Sequence, residues 1–300
     1  LKPTINVDAV IIGAGPAGLT AATYLGRFHR KVVVIDGGAS RARWIPESHN
    51  IPGFPRGISG SMLLAQLREQ AVRYGADIYP GHVDSIEHSE RGFRVHFEST
   101  GVFGRLVLLA CGVQDHLPDL AGAEEAVLRS LLRICPICDA YEATGKRIAV
   151  LGSGAHGDRE AQFLRTYSER VTLIHLGGAR DPAADATLKA AGVALITASP
   201  TDLEIESDRL VLRTSEGAHF FDVFYSALGC TPVSRLATDL GATRDENGGL
   251  RVNAHQQTSI AGMFAAGDLV RGLNQVVVAA AEAAVAATEM HNQLREHEFR

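Results

Sequence analysis

Two stretches of this chain repeat one pattern, and the repeat restricts the fold more than any other feature. Val7–Ile12 is a short continuous apolar run, as expected of a strand covered on both faces, and it leads directly into Gly13-Ala14-Gly15-Pro16-Ala17-Gly18. Leu19–Leu25 then reads as a helix and Lys31–Ile35 as a second strand ending at Asp36. The pattern returns as Arg147–Leu151, the turn Gly152-Ser153-Gly154-Ala155-His156-Gly157, a helix through Tyr167 and a strand over Val171–Ile174. Strand, glycine turn, helix and strand in that order predict an α/β chain holding two Rossmann-like units.

In the first unit each glycine has a physical task. Gly13 allows a tight turn, Gly15 lets the backbone approach a pyrophosphate, and Gly18 permits close packing of the helix. Pro16 and Ala17 open that helix, whose free N–H groups and partial positive charge suit phosphates. Asp36, 23 residues after Gly13, is placed to accept hydrogen bonds from a ribose diol. In the second unit the same count from Gly152 reaches His175, and Leu176-Gly177-Gly178-Ala179 follow with no arginine before Arg180. The second unit therefore predicts the fold of a dinucleotide site without the side chains that recognise the adenosine ribose of NADH or NADPH, which is also what a purely structural unit would show. His156 and His175 read as satisfied histidines or as contacts to whatever replaces that nucleotide.

Between the units, Gly53–Gly60 is a glycine- and proline-containing loop, Met62–Tyr74 has helical periodicity, His82–Phe97 alternates as strands of a small sheet, and Leu106–Ala110 is a buried strand. Beyond the second unit, Leu203–Leu212 and Phe220–Leu228 read as strands and a loop continues through Pro232. Gly262–Asp268 reads as a strand ending in Gly267-Asp268 ahead of an alanine-rich helix starting near Asn274. Such a turn suits ribityl hydroxyls and phosphates, or is an ordinary strand-to-helix connection.

Three hundred residues with 46% hydrophobic content suffice for two compact domains. A net charge of −5 and the lack of any lysine or arginine block speak against nucleic acid as a partner. Leu1–Asp8 has no basic segment followed by an apolar core, and Val276–Ala287, interrupted by Glu282, falls short of the ~20 residues of a membrane span. These features fit a soluble, cytoplasmic protein with no membrane contact.

Cys135-Pro136-Ile137-Cys138-Asp139 carries the chemistry, with Cys138 only 14 residues ahead of Gly152. A dithiol beside a dinucleotide fold points to exchange between a disulfide and a redox cofactor. Zinc would want a second ligand pair of similar spacing, and no other CxxC or HxxxH occurs. Cys111 and Cys230 read as small buried hydrophobes. Asp139 is a candidate acid/base for a departing thiolate, or a solvated helix-end carboxylate.

The first glycine turn, Cys135–Asp139, the second turn and Thr258–Asp268 together resemble low-molecular-weight thioredoxin reductases over essentially the whole chain. The resemblance implies two Rossmann-like three-layer ββα domains, the second inserted into the first: an FAD-binding domain of residues 1–114 and 236–300, and an insert of 115–235 carrying the dithiol. It implies FAD, a homodimer, and a rotation that alternately brings the dithiol to the flavin and exposes it. By resemblance Cys138 would face the flavin, Cys135 would attack a thioredoxin-like protein or a small disulfide, and Gln275 would lie near the flavin pyrimidine. The family's His-Arg-Arg appears as His175-Leu176-Gly177 and its Arg-Gln-Ala as Asn274-Gln275-Val276, which places the chain beside members lacking an NADPH motif. Ferredoxin is then a possible donor. An oxygen-using dithiol oxidase and a non-catalytic flavin redox sensor stay open as alternatives. Phe299 in the tail Glu296–Arg300 is an aromatic suited to cover a flavin face, or part of a frayed terminus.

Overall fold

A computed structural model describes residues 5–98, 100–177, 179–198, 203–207, 209–214 and 217–298. The apolar strand Ile5–Ile12 lies at the centre of the first sheet, with Ala9 to Ile12 buried. It pairs in parallel with Val32–Asp36 on one side and Thr100–Leu109 on the other, and Asp77–Pro80 extends the sheet beyond Val32–Asp36. The long strand Thr100–Leu109 has two partners along its far edge. Its first half takes the antiparallel pair Gly92–Phe97 and Val83–Ser89, and its last three residues take the parallel strand Met263–Ala265.

Alternation along these strands sends side chains to two cores. Ala9, Ile11, Val34 and Leu108 face the helices Pro16–Arg27 and Val276–Glu298, while Val10, Val33, Val107 and Leu109 face a second layer with Phe93, Val95 and Leu250. The alanines of Val276–Glu298 serve this packing: Ala279, Ala283, Ala286 and Ala287 are buried and let the helix lie close to Pro16–Arg27.

The second sheet is wholly parallel, in the order Ala194–Ala198, Val171–Leu176, Ile148–Gly152, Val223–Ala227, Leu132–Arg133. A three-stranded antiparallel sheet, Leu203–Glu206, Arg209–Thr214 and Gly217–Phe220, covers it through Leu203, Leu210, Leu212 and Phe224. Trp44, from the segment after Val32–Asp36, packs against this same cluster. The chain passes from the first sheet to the second through Val113–Asp115 and returns through Cys230–Pro232, and these two segments pair antiparallel.

Several boundaries differ from the sequence expectation. Leu203–Leu212 is two strands, because the chain reverses at Ser207, whose φ is +50°. Phe220–Leu228 is likewise divided, since Asp222 turns to accept from Arg147 N at 2.8 Å. The expected loop through Pro232 contains the short strand Cys230–Pro232, fixed by a partner too distant in sequence to be foreseen. The second unit's helix ends at Leu164 and not Tyr167, as the chain tightens into three-residue turns such as Tyr167 N to Leu164 O at 3.0 Å. Among the described residues no helix is long and apolar enough to cross a membrane.

The first glycine turn is closely packed. A Cβ on Gly18 would stand 1.9 Å from the Gly13 carbonyl oxygen, and one on Gly13, where φ is +109°, would stand 2.3 Å from that of Ala110. Backbone, not a movable side chain, blocks both positions. Gly18→Ala is therefore expected to cost roughly 3 kcal/mol, read as a lowered urea midpoint of unfolding; an unchanged midpoint would contradict this packing.

Candidate active site

The glycine turns after Ile5–Ile12 and Met263–Ala265 lie at the same end of the first sheet and open on one cavity of about 1080 Å³. Gly13, Gly15, Pro16, Ala17 and Asp36 line it from the first turn, Gly267, Asp268 and Gln275 from the chain's last quarter, and Cys135, Cys138 and Asp139 from the second sheet's side. Gly18 lies behind this wall, against Gly13 and Ile11. Asp36 accepts from Gly38 N at 2.8 Å and pairs with Arg68. Gly267 N donates at 2.9 Å to Glu282, the one acidic residue buried in the alanine-rich helix, so the Gly267-Asp268 turn is held from within the core.

Cys135 and Cys138 are joined as a disulfide, with S–S at 2.03 Å. Cys135 caps a single helical turn, Pro136–Asp139, whose proline sits where no intrahelical N–H is needed, and Cys138 N donates to Cys135 O at 2.9 Å. The Gln275 amide lies against both sulfurs, with Nε2 at 3.5 Å from Cys135 Sγ and 3.4 Å from Cys138 Sγ. Its oxygen accepts from Asn50 Nδ2 at 2.9 Å, and that nitrogen also faces Ile137 O at 3.3 Å.

Asp139 is not a solvated helix-end carboxylate. It is partly buried, accepts from the Tyr225 hydroxyl at 2.8 Å, and has Arg133 NH1 at 3.7 Å. Arg133 also donates to the Asp139 carbonyl at 2.7 Å, which fixes the end of the dithiol turn. Burial raises the Asp139 pKa above the usual carboxylate range against the pull of Arg133 and Tyr225, and Glu142 adds to the rise. The Tyr225 hydroxyl, its pKa raised by burial and by Asp139, stays protonated.

Arg41 belongs to the site and was not singled out in the sequence. It lines the cavity, donates to Asp115 at 2.6 and 2.8 Å, and approaches Asp268 Oδ2 at 3.5 Å. Burial lifts the Asp268 carboxyl above its ordinary pKa, opposed by Arg41. Two carboxylates and one guanidinium so arranged leave the one positive charge of this stretch of wall already paired. Only the clustering of Arg41 and Arg43 after the second strand hinted at this role. Neither remaining cysteine is wholly buried. Cys111 lines the cavity with a thiol pushed up to about 12 by burial, and Cys230 Sγ accepts from Asn274 Nδ2 at 3.5 Å.

The second glycine turn is also closely packed, with a Cβ on Gly152 falling 2.8 Å from Gly157 Cα, but its positive φ is at Gly154 (+54°) where the first turn has it at Gly13 (+109°), and its helix begins at Gly154, one position earlier in the motif. Its surroundings differ. Arg180, whose side chain is 8% exposed, donates to Asp158 at 2.9 Å, pairs with Asp185, and reaches His175 Nδ1 at 3.4 Å. The first arginine after that strand is thus committed to two carboxylates. His156 pairs with Glu160, which burial raises to about 7. Phe299 lies outside the described residues.

The pyridine nucleotide-disulphide oxidoreductase family model matches residues 7–283. The bifunctional thioredoxin reductase/thioredoxin of Mycobacterium leprae (strain TN) is 32% identical over 97% of this chain, which spans 66% of that longer protein. The thioredoxin reductase of Treponema pallidum (strain Nichols) is 29% identical over 94% of this chain and 95% of its own length. Among solved structures, HlmI superposes with a TM-score of 0.89 at 29% identity, covering 100% of this chain and 95% of HlmI.

Proposed function

Because the chain belongs to the pyridine nucleotide-disulphide oxidoreductase family, we propose that it reduces the disulfide of a thioredoxin-like protein through Cys135 and Cys138, with an electron donor other than NADPH. It is an FAD-dependent oxidoreductase, as its family and relatives indicate. The single observation carrying the proposal is the Cys135–Cys138 disulfide set into the wall of the dinucleotide cavity, opposite the glycine turn.

The residues present fit FAD. Gly13 and Gly15 form a cradle with no side chain of their own, the free N–H groups at the start of Pro16–Arg27 suit phosphate, and Asp36 stands at the ribose end. FAD, when bound, supplies a store for two electrons. The division into residues 1–114 with 236–300 around the cofactor, and 115–235 carrying the dithiol, accords with the paired crossing segments Val113–Asp115 and Cys230–Pro232.

Two electrons and two protons convert the disulfide to a dithiol. The Cys135 thiolate then attacks one sulfur of the partner disulfide, whose S–S bond breaks as a mixed disulfide forms. Cys138 attacks Cys135 in turn, the internal disulfide closes, and the partner leaves as a dithiol. Asp139, held by Tyr225 and Arg133, donates the proton taken up by a departing thiolate.

The donor assignment rests on the second glycine turn. Leu176 and Gly177 offer no charge to a 2′-phosphate, and Arg180 is neutralised by Asp158 and Asp185. Reduced ferredoxin, which needs only a surface near the flavin, is the donor class favoured, and the active form is a homodimer in the cytoplasm. The test is anaerobic reduction of the flavin-loaded protein by NADPH, reduced ferredoxin or reduced thioredoxin. Ferredoxin and thioredoxin are expected to bleach the flavin while NADPH does so slowly; rapid bleaching by NADPH at about 10 μM would overturn the donor assignment. Hydrogen peroxide released with a dithiol substrate would instead identify an oxidase.

A further inference from the structure

We infer that Asn50 is a positioning residue that dictates which end of the Gln275 amide meets the two sulfurs, and thereby stabilises the thiolate formed when the disulfide opens. The inference rests on Cys135–Cys138 acting as a redox couple.

Amide groups have a donor end and an acceptor end of nearly the same shape, so the polarity of such a chain must be set by a partner that can play one part only. Two such partners flank this one. The Ile137 carbonyl, inside the dithiol turn, can only accept, and lies 3.3 Å from Asn50 Nδ2. The Asn274 carbonyl can only accept, and lies 3.0 Å from Gln275 Nε2. With Nδ2 directed at Ile137, Asn50 offers a donor to Gln275, whose oxygen answers at 2.9 Å. Gln275 is then obliged to present its NH₂ group to Cys135 Sγ and Cys138 Sγ at 3.5 and 3.4 Å. Behind Asn50, the buried Ser48 hydroxyl donates to Asn50 Oδ1 at 2.9 Å, so the far end of the amide is occupied as well.

A neutral disulfide gains little from an N–H donor, whereas a thiolate accepts a charge-assisted bond. The relay therefore favours the opened, anionic state of the couple over the closed one. It does so from Ser48 and Asn50, which lie outside the dithiol segment and outside the helix following Gln275. Asn50 is exposed, so its replacement leaves the core untouched.

The experiment follows iodoacetamide alkylation of the reduced, flavin-loaded protein against pH, resolved for the Cys135 and Cys138 peptides by mass spectrometry. Asn50→Ala is expected to move the alkylation midpoint upward, lowering the rate near neutral pH about tenfold, with the plateau at high pH unchanged. Gln275→Ala, which removes the donor that the Asn274 carbonyl also orients, is expected to give a shift at least as large, and the double variant no more than Gln275→Ala alone, because Asn50 acts on the sulfurs through Gln275. Ser48→Ala, which keeps both amides, is expected to shift the midpoint by less in the same direction. An unmoved midpoint in Asn50→Ala, or additive shifts in the double variant, would overturn the inference. Failure of the redox assignment would show differently: the reduced wild-type pair would leave the flavin and a partner disulfide unchanged while its alkylation midpoint still responded to Asn50.

Discussion

Cys138→Ser is expected to abolish reduction of a partner disulfide, with a fall on the order of 10⁴-fold, while the protein keeps its flavin. Serine has nearly the size of cysteine, so the short turn Pro136–Asp139 and its bonds to Arg133 and Gln275 have no steric reason to change. What disappears is the second sulfur. Without it the internal disulfide cannot close, and a mixed disulfide once formed has no resolving thiol. The variant should therefore accumulate a covalent adduct between Cys135 and the partner, visible on a non-reducing gel. Cys135→Ser should be equally inactive but form no adduct, because the attacking sulfur is the one removed. Adduct formation by Cys135→Ser alone would exchange the two assignments. Retention of a tenth of wild-type turnover by both variants would remove the dithiol from the mechanism.

Asp139→Asn is expected to lower turnover about 10²-fold and to change the shape of its pH dependence. Burial places the Asp139 pKa above that of an ordinary carboxyl, with Arg133 and Tyr225 opposing and Glu142 assisting. A general acid works in its protonated form, so its contribution is complete below that pKa and is lost as pH rises through it. The raised value carries this loss toward neutrality, and wild-type turnover should fall on the alkaline side of it. The asparagine variant has no such proton, so that descending limb should vanish and leave a low rate governed by the thiols alone. Equal loss at every pH, with the limb intact, would assign the titration to another group. Tyr225→Phe removes one opposing hydrogen bond and is expected to move the limb upward in pH.

The sequence made local features legible and left non-local ones hidden, for a physical reason. A strand, a glycine turn and a helix N-terminus are neighbours along the chain, so the order of elements from Val7 to Asp36 was legible from spacing alone. The dithiol was legible in the same way. Asp139, by contrast, depends on Tyr225 and Arg133, brought to it by the pairing of Val223–Ala227 with Leu132–Arg133, and nothing in the spacing of those residues announces the contact. Arg41 reaches Asp115 and Asp268 across equally long separations. Arg180 likewise meets His175 and, 22 residues back, Asp158, contacts that spacing does not announce. Strand boundaries failed where a reversal was short or where the partner was remote, as at Ser207 and Cys230–Pro232.

The ribbon made by Val113–Asp115 and Cys230–Pro232 has a genealogical consequence. Entry and exit of the intervening segment lie side by side, Asp115 opposite Cys230 and Val113 opposite Pro232. A stretch whose ends meet in this way can be spliced into a host, or excised and bridged by a hairpin, without cutting a hydrogen bond of the host's own sheet. The dithiol and the second glycine turn both lie between these two crossings, so a change of length or sequence within that stretch leaves the strand pairing of the first sheet as it is.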